Sequence, residues 1–135
     1  MRTSWLWLTP LLAVAITPVA AHPSRQAAGE AELAKQLDGL VPGKPQDCVS
    51  LSRIDGSQII EGTAVVYRGF GGTIYVNRPG GAERLHDDDI PVQYVYGAEL
   101  CRLDQMRLLD RSTRMEHGFA ILGQFVPYSK ARKAD

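Results

Sequence analysis

Residues 62–79, GTAVVYRGFGGTIYVNRP, constrain the chain more than any other stretch, because they can do little but form a β-hairpin. Thr63 to Tyr67 and Thr73 to Val76 are rich in β-branched and aromatic side chains, which suit a pleated, half-buried surface. Strand alternation puts Ala64 and Val66 on one face and Val65 and Tyr67 on the other. In the second strand Ile74 and Val76 oppose Tyr75 and Asn77. Arg68-Gly69-Phe70-Gly71-Gly72 joins the two, and its glycines reach the positive φ angles that a tight reversal needs. Pro79 cannot donate to a ladder and ends the second strand. Phe70, at the tip of the turn, is a candidate contact residue. The glycines do not make a phosphate loop. No Lys-Ser/Thr follows them, and they lead into a strand rather than a helix N-terminus.

The N-terminal stretch reads as an address. Arg2 precedes an apolar run from Trp5 to Ile16, and Val19 and Ala21 stand where a signal peptidase takes small residues. Residues 1–21 are therefore expected to be a cleaved secretory signal. Thr9, Pro10, Thr17 and Pro18 interrupt the run, which falls short of the roughly 20 apolar residues of a membrane span. The expected location is periplasmic or secreted, with no membrane span in the mature chain. In such an oxidising compartment the two cysteines, Cys48 and Cys101, are most simply a disulfide. The alternative, a catalytic thiol, has no Cys-X-X-Cys and no histidine or asparagine setting to support it. Fifteen basic and fifteen acidic residues balance, so the chain carries no electrostatic footprint for nucleic acid.

After a polar leader, Gln26 to Leu37 reads as a helix. Its alanines favour one, and Leu33, Leu37 and Leu40 form a narrow apolar stripe. Gly39 is placed to cap it. So narrow a stripe leaves two arrangements open, a loosely docked helix and a free one. Val41-Pro42-Gly43-Lys44-Pro45 reads as a linker, which gives a leader, helix and linker over 22–46 and a β-rich domain over 47–128. Within that domain Cys48 to Leu51 opens a strand, and Asp55-Gly56 is expected to turn a hairpin into Gln58-Ile59-Ile60. Val92 to Tyr96, Leu100 to Leu103, Met106 to Leu109 and Phe119 to Val126 are further strands. In the last, Phe119, Ile121 and Phe125 are expected to face inward, with Gly123 a bulge. The fold class is mainly β, a small antiparallel sandwich or partly open barrel preceded by one N-terminal helix after the signal peptide. Residues 129–135 form a basic tail.

The pattern Cys48-x5-Ile54-x4-Ile59-Ile60, Val65-Val66-Tyr67, Ile74-Tyr75-Val76-Asn77, Leu100-Cys101-x-x-Asp104, Leu108-Leu109-Asp110 and Phe125-x-Pro127-Tyr128 resembles a family of small exported bacterial proteins of unknown function. The resemblance runs from about Asp47 to Tyr128 and implies a periplasmic or secreted β-rich domain. It implies no activity and carries over no functional residue.

Two chemistries remain to be weighed. His86-Asp87-Asp88-Asp89 offers an imidazole and three carboxylates that could hold a metal, although no calcium-loop spacing is present and consecutive strand residues diverge. Cleavage after Ala21 would make His22 the N-terminal residue, whose amine and imidazole chelate copper, with His86 or His117 completing the site. No Gly-x-Ser-x-Gly and no triad order involves Ser50, Ser52, Ser57 or Ser112, so no catalytic residue and no cofactor are assigned. The leading expectation is a non-enzymatic exported module that binds an unknown protein or envelope component through Phe70, Tyr75, Tyr94 and Tyr96. The alternative is a small periplasmic copper-binding protein using His22, or His86 with Asp87 and Asp89.

Overall fold

The computed structural model describes residues 21–132, so the expected signal segment (but for Ala21) and the last three residues of the basic tail lie outside it. The described residues form one α-helix and ten strands, all paired antiparallel. The helix is α1 (Arg25–Gln36). The strands are β1 (Val41–Pro42), β2 (Cys48–Ser50), β3 (Ile54–Ile60), β4 (Ala64–Gly69), β5 (Ile74–Asn77), β6 (Ile90–Gln93), β7 (Glu99–Cys101), β8 (Gln105–Leu109), β9 (Glu116–Ile121) and β10 (Phe125–Ser129). They build a five-stranded sheet of order β1-β10-β5-β4-β3, a three-stranded sheet β6-β8-β9 and a ribbon β2-β7. None of these sheets closes into a barrel, and the mainly β class with one N-terminal helix holds.

The hairpin over 62–79 is the middle of the five-stranded sheet, and its alternation is as expected. Val65, Tyr67 and Tyr75 pack inward with Ile59, Leu100, Met106, Leu108, Ala120, Leu122 and Phe125, filling the space between the sheets. Ala64, Val66 and Val76 face the other way and meet Leu33 of α1, with Leu37 and Tyr128 alongside. The four consecutive apolar residues Ala64 to Tyr67 are buried because both faces of β4 are covered. The Tyr67 ring lies 5.6 Å from that of Phe125, and Gln93 donates to its hydroxyl. Burial pushes the Tyr67 phenol pKa well above its ordinary value.

The helix is docked rather than free. Ser24 caps it, its Oγ accepting from the amide of Ala27 at 3.2 Å. Gly29 lets it close on the sheet: a Cβ there would fall 2.1 Å from Thr63 Oγ1 and 2.3 Å from the Glu61 carbonyl. Arg78 grips Glu30 with two nitrogens at 2.5 and 2.9 Å, which holds the Glu30 carboxyl below its ordinary pKa. The stretch read as a linker also joins the sheet, since Val41 and Pro42 pair with Ser129 and Tyr128.

Several boundaries differ from expectation, each for a local reason. Asp55-Gly56 does not turn the chain; β3 runs through it, with Asp55 dropped out of register as a bulge against β4. The stretch from Phe119 to Val126 is two strands in two sheets, with a corner at Leu122–Gln124. Gly123 is that corner, not a bulge. Asn77, fully buried, donates to its carbonyl at 2.8 Å and accepts from its amide at 2.9 Å. A Cβ on Gly123 would sit 2.7 Å from the Arg78 carbonyl oxygen. Ala120 of β9 and Leu122 just beyond it are the inward residues, which leaves Phe119 46% exposed and Ile121 half-buried. Tyr94 and Tyr96 lie beyond the end of β6 rather than within a strand.

Candidate functional site

Cys48 and Cys101 are bonded to each other and are directly opposed in the β2-β7 ribbon. The bond closes a loop of 53 residues, for which a chain-entropy treatment gives about 4 kcal/mol of stabilisation. The turn that follows Cys101 is closed by hydrogen bonds of its own. Asp104 accepts from the Cys101 amide at 2.7 Å, and the Asp104 amide donates back to the Cys101 carbonyl at 3.2 Å. Between them Leu103 is held at φ 71° with its amide on the Leu122 carbonyl at 2.8 Å. A leucine in the left-handed region is disfavoured by roughly 1–2 kcal/mol. This one gains no compensating burial, since its side chain is 68% exposed.

Leu103 points into a larger exposed surface. In β8, Met106 and Leu108 are fully buried, so Gln105, Arg107 and Leu109 take the outer face of the three-stranded sheet. The register sets Val92 and Phe119 on either side of Arg107, with Ile90 beside Leu109 and Ile121 beside Gln105. Arg107 lies 5.1 Å over the ring of Tyr94 and pairs with Glu116 at 3.0 Å, which restrains both the guanidinium and the ring. Tyr94, Tyr96, Leu103, Asp104, Gln105 and Arg107 line a hollow of about 450 Å³. Tyr96 is almost wholly exposed, and Met115, at the β8–β9 turn, is 69% exposed. That turn is laced by one carboxylate: Asp110 Oδ1 accepts from the amides and hydroxyls of Ser112 and Thr113, which holds its carboxyl well below the usual range.

The expected contact residues therefore separate. Tyr94 and Tyr96 share the hollow. Phe70 is exposed on its glycine tip, where Gly71 and Gly72 have φ of 74° and 79°, but it does not line that hollow. Tyr75 is only 7% exposed and belongs to the core, so it is withdrawn as a surface residue. Sequence reasoning missed Leu103, Arg107 and Phe119. Phe119 carried a readable signal, for its neighbours Ala120 and Leu122 offer an equally apolar phase.

The expected metal ligands separate as well. His22 is exposed in the coil ahead of α1. Asp87 is exposed and faces away towards α1, lining a groove with Arg25, Glu32 and Glu61. Asp89 is buried, and His117 rather than Asp87 is its partner, with Nε2 2.7 Å from Asp89 Oδ1. His86 lies across from His117, the ring centroids 6.0 Å apart. Among the described residues, Cys48, Glu99 and Cys101 form the one trio with donor atoms within 4.8 Å of one another, and there both sulfurs are committed to the disulfide. Comparison with protein-family models, with curated proteins and with solved structures finds no match to this chain. The chain is a β-rich domain braced by a Cys48–Cys101 disulfide.

Proposed function

We propose that this protein is an exported, non-enzymatic binding module that engages a protein or another component of the cell envelope through the outer face of the β6-β8-β9 sheet. The observation that carries the reading is the grouping of Tyr94, Tyr96, Leu103 and Arg107 around one hollow, with Leu103 held out at an unfavourable φ. Tyrosine and arginine are enriched among the side chains that anchor interfaces, tyrosine for its large amphipathic ring and arginine for its planar cluster of donors. Exposed apolar side chains rimmed by polar ones, as Tyr96 and Leu103 are by Asp104, Gln105 and Arg107, are the arrangement that interaction sites show. The N-terminal signal pattern and the disulfide support placing the partner outside the cytoplasm.

The test compares the wild-type chain with a Tyr96→Ser/Leu103→Asp double variant for retention on an isolated envelope fraction. Both residues are exposed, so the double variant should fold, which thermal unfolding checks. The reading expects retention to fall at least tenfold with the unfolding temperature unchanged. Equal retention by the two chains would remove this face from consideration, and loss only on Phe70→Asp would move the contact to the hairpin tip.

A further inference from the structure

A second hollow, of about 250 Å³, lies where the 86–89 turn meets β9 and the β8–β9 turn. Its lining residues are His86, Asp88, Asp89, Asp110 and His117, so every one of them is a metal-ligating type and none is a lysine or arginine. The geometry points to a binding site for a single late divalent transition ion, Zn²⁺ or Cu²⁺, held by the imidazoles of His86 and His117 with carboxylate support. The site is distinct from the aromatic face and does not depend on its use.

Three observations carry it. The first is spacing. A metal–nitrogen bond of about 2.0–2.1 Å plus about 1.1 Å to the ring centre puts each imidazole centroid about 3.2 Å from its ion. Two rings sharing an ion at the tetrahedral angle of about 109° are then about 5.2 Å apart. His86 and His117 stand at 6.0 Å, so they need to close by less than about 1 Å.

The second is orientation. Asp89, whose side chain is 3% exposed, takes the Nε2–H of His117 at 2.7 Å. That bond fixes the tautomer and leaves Nδ1 with the lone pair, as a carboxylate behind a metal-bound histidine does. The other Asp89 oxygen accepts from the His86 amide at 3.1 Å, so one buried carboxylate organises both histidines.

The third is that His86 already receives a cationic group. Arg25 NH2 lies 3.1 Å from its Nδ1, and a guanidinium only donates, so that nitrogen carries a lone pair. A metal ion takes this lone pair as the ring turns off Arg25, which keeps its 2.7 Å pair with Glu61. The turn is needed, because the donor atoms of His86, Asp89 and His117 do not converge within 4.8 Å with Arg25 in place. The bonds that Asp89 makes would by themselves account for a locked turn. They do not account for two histidines, far apart in the sequence, facing one hollow. Imidazole with carboxylate favours zinc and copper over magnesium and calcium.

The experiment is calorimetric titration of the purified, chelator-free chain with zinc chloride near neutral pH. Wild type is expected to bind one zinc per chain. His86→Gln and His117→Gln should each weaken binding at least tenfold, and Asp89→Asn should weaken it about 10–100-fold. His86 and His117 are not buried, so their variants should fold even if Asp89→Asn does not. His22→Ala should bind as wild type does. No zinc uptake by the folded wild type, or equal uptake by both histidine variants, would overturn the proposal. So would loss confined to His22→Ala, which would place the ion on the N-terminal segment.

Discussion

Two sheet faces in this protein point away from the shared core, and they are treated differently. The outer face of the five-stranded sheet carries Ala64, Val66 and Val76, and α1 is laid across it, so all three are buried. The outer face of the three-stranded sheet carries Val92, Arg107, Leu109 and Phe119, and no described element covers it. The covered face is small and aliphatic, and a single glycine in the helix sets the approach. The uncovered face is aromatic and charged at its centre, and it is extended by Tyr94, Tyr96 and Leu103. One face is closed by the chain itself. The other is left open among the described residues, and it is the face proposed above to take a partner. Four substitutions sharpen the contrast.

The largest effect is expected at Leu33, 2% exposed and the main apolar contact of α1. Leu33→Ala should cost about 3 kcal/mol by loss of transfer energy and the cavity left behind. Urea unfolding measures it, and a cost under about 1 kcal/mol would mean that the helix contributes little to the fold. Gly29→Ala comes next. Helix propensity alone favours alanine by about 1 kcal/mol. The new methyl would meet backbone and side chain at 2.1–2.3 Å, so the helix must lift. A net loss of about 2 kcal/mol is expected, in the range of overpacked sites. A gain would show that α1 shifts freely on the sheet.

On the uncovered face the sign reverses. Leu103→Gly relieves the left-handed leucine and should raise stability by up to about 1 kcal/mol. It should also reduce envelope retention, separating the residue's role in contact from any role in folding. A stability loss instead would show that the Leu103 side chain packs. The smallest effect belongs to Glu30 and Arg78, which are 42% and 53% exposed and therefore largely screened, so their pair is given about 0.5 kcal/mol. The folded pKa of Glu30 is depressed, chiefly by its hydrogen bonds to Arg78. The pair's contribution is therefore fully present above the unfolded Glu value and fades as pH falls through the lower folded value. Glu30→Gln should flatten that part of an acid titration of stability; an unchanged profile would assign the dependence elsewhere.

The covered side was the more legible in the sequence. Alternation in Ala64-Val65-Val66-Tyr67 and Ile74-Tyr75-Val76 assigned both faces of the hairpin correctly, and the leucine stripe marked the buried side of α1. What no local pattern carried was that Gly29 would seat the helix against Thr63. The uncovered side was harder to read. Phe119-Ala120-Ile121-Leu122 is apolar in both phases, so a period of two cannot say which set faces in; packing space decided for alanine and Leu122. Asp55-Gly56 has turn chemistry yet lies in a continuous strand, because a bulge absorbs the extra residue. Leu103 adopts a glycine-like φ with no glycine to announce it. The pairing of Asp89 with His117 is a product of tertiary structure, and the run His86 to Asp89 drew the eye to Asp87, which turns away.

The most direct test of the account is site-specific photocrosslinking in cells. A photoreactive phenylalanine analogue is placed at Tyr96 in one chain and at Lys35, exposed on α1, in another. A discrete adduct is expected from position 96 and none from position 35. An adduct from position 35 with none from position 96 would contradict it, making the helix side the contact surface and the bare sheet face incidental.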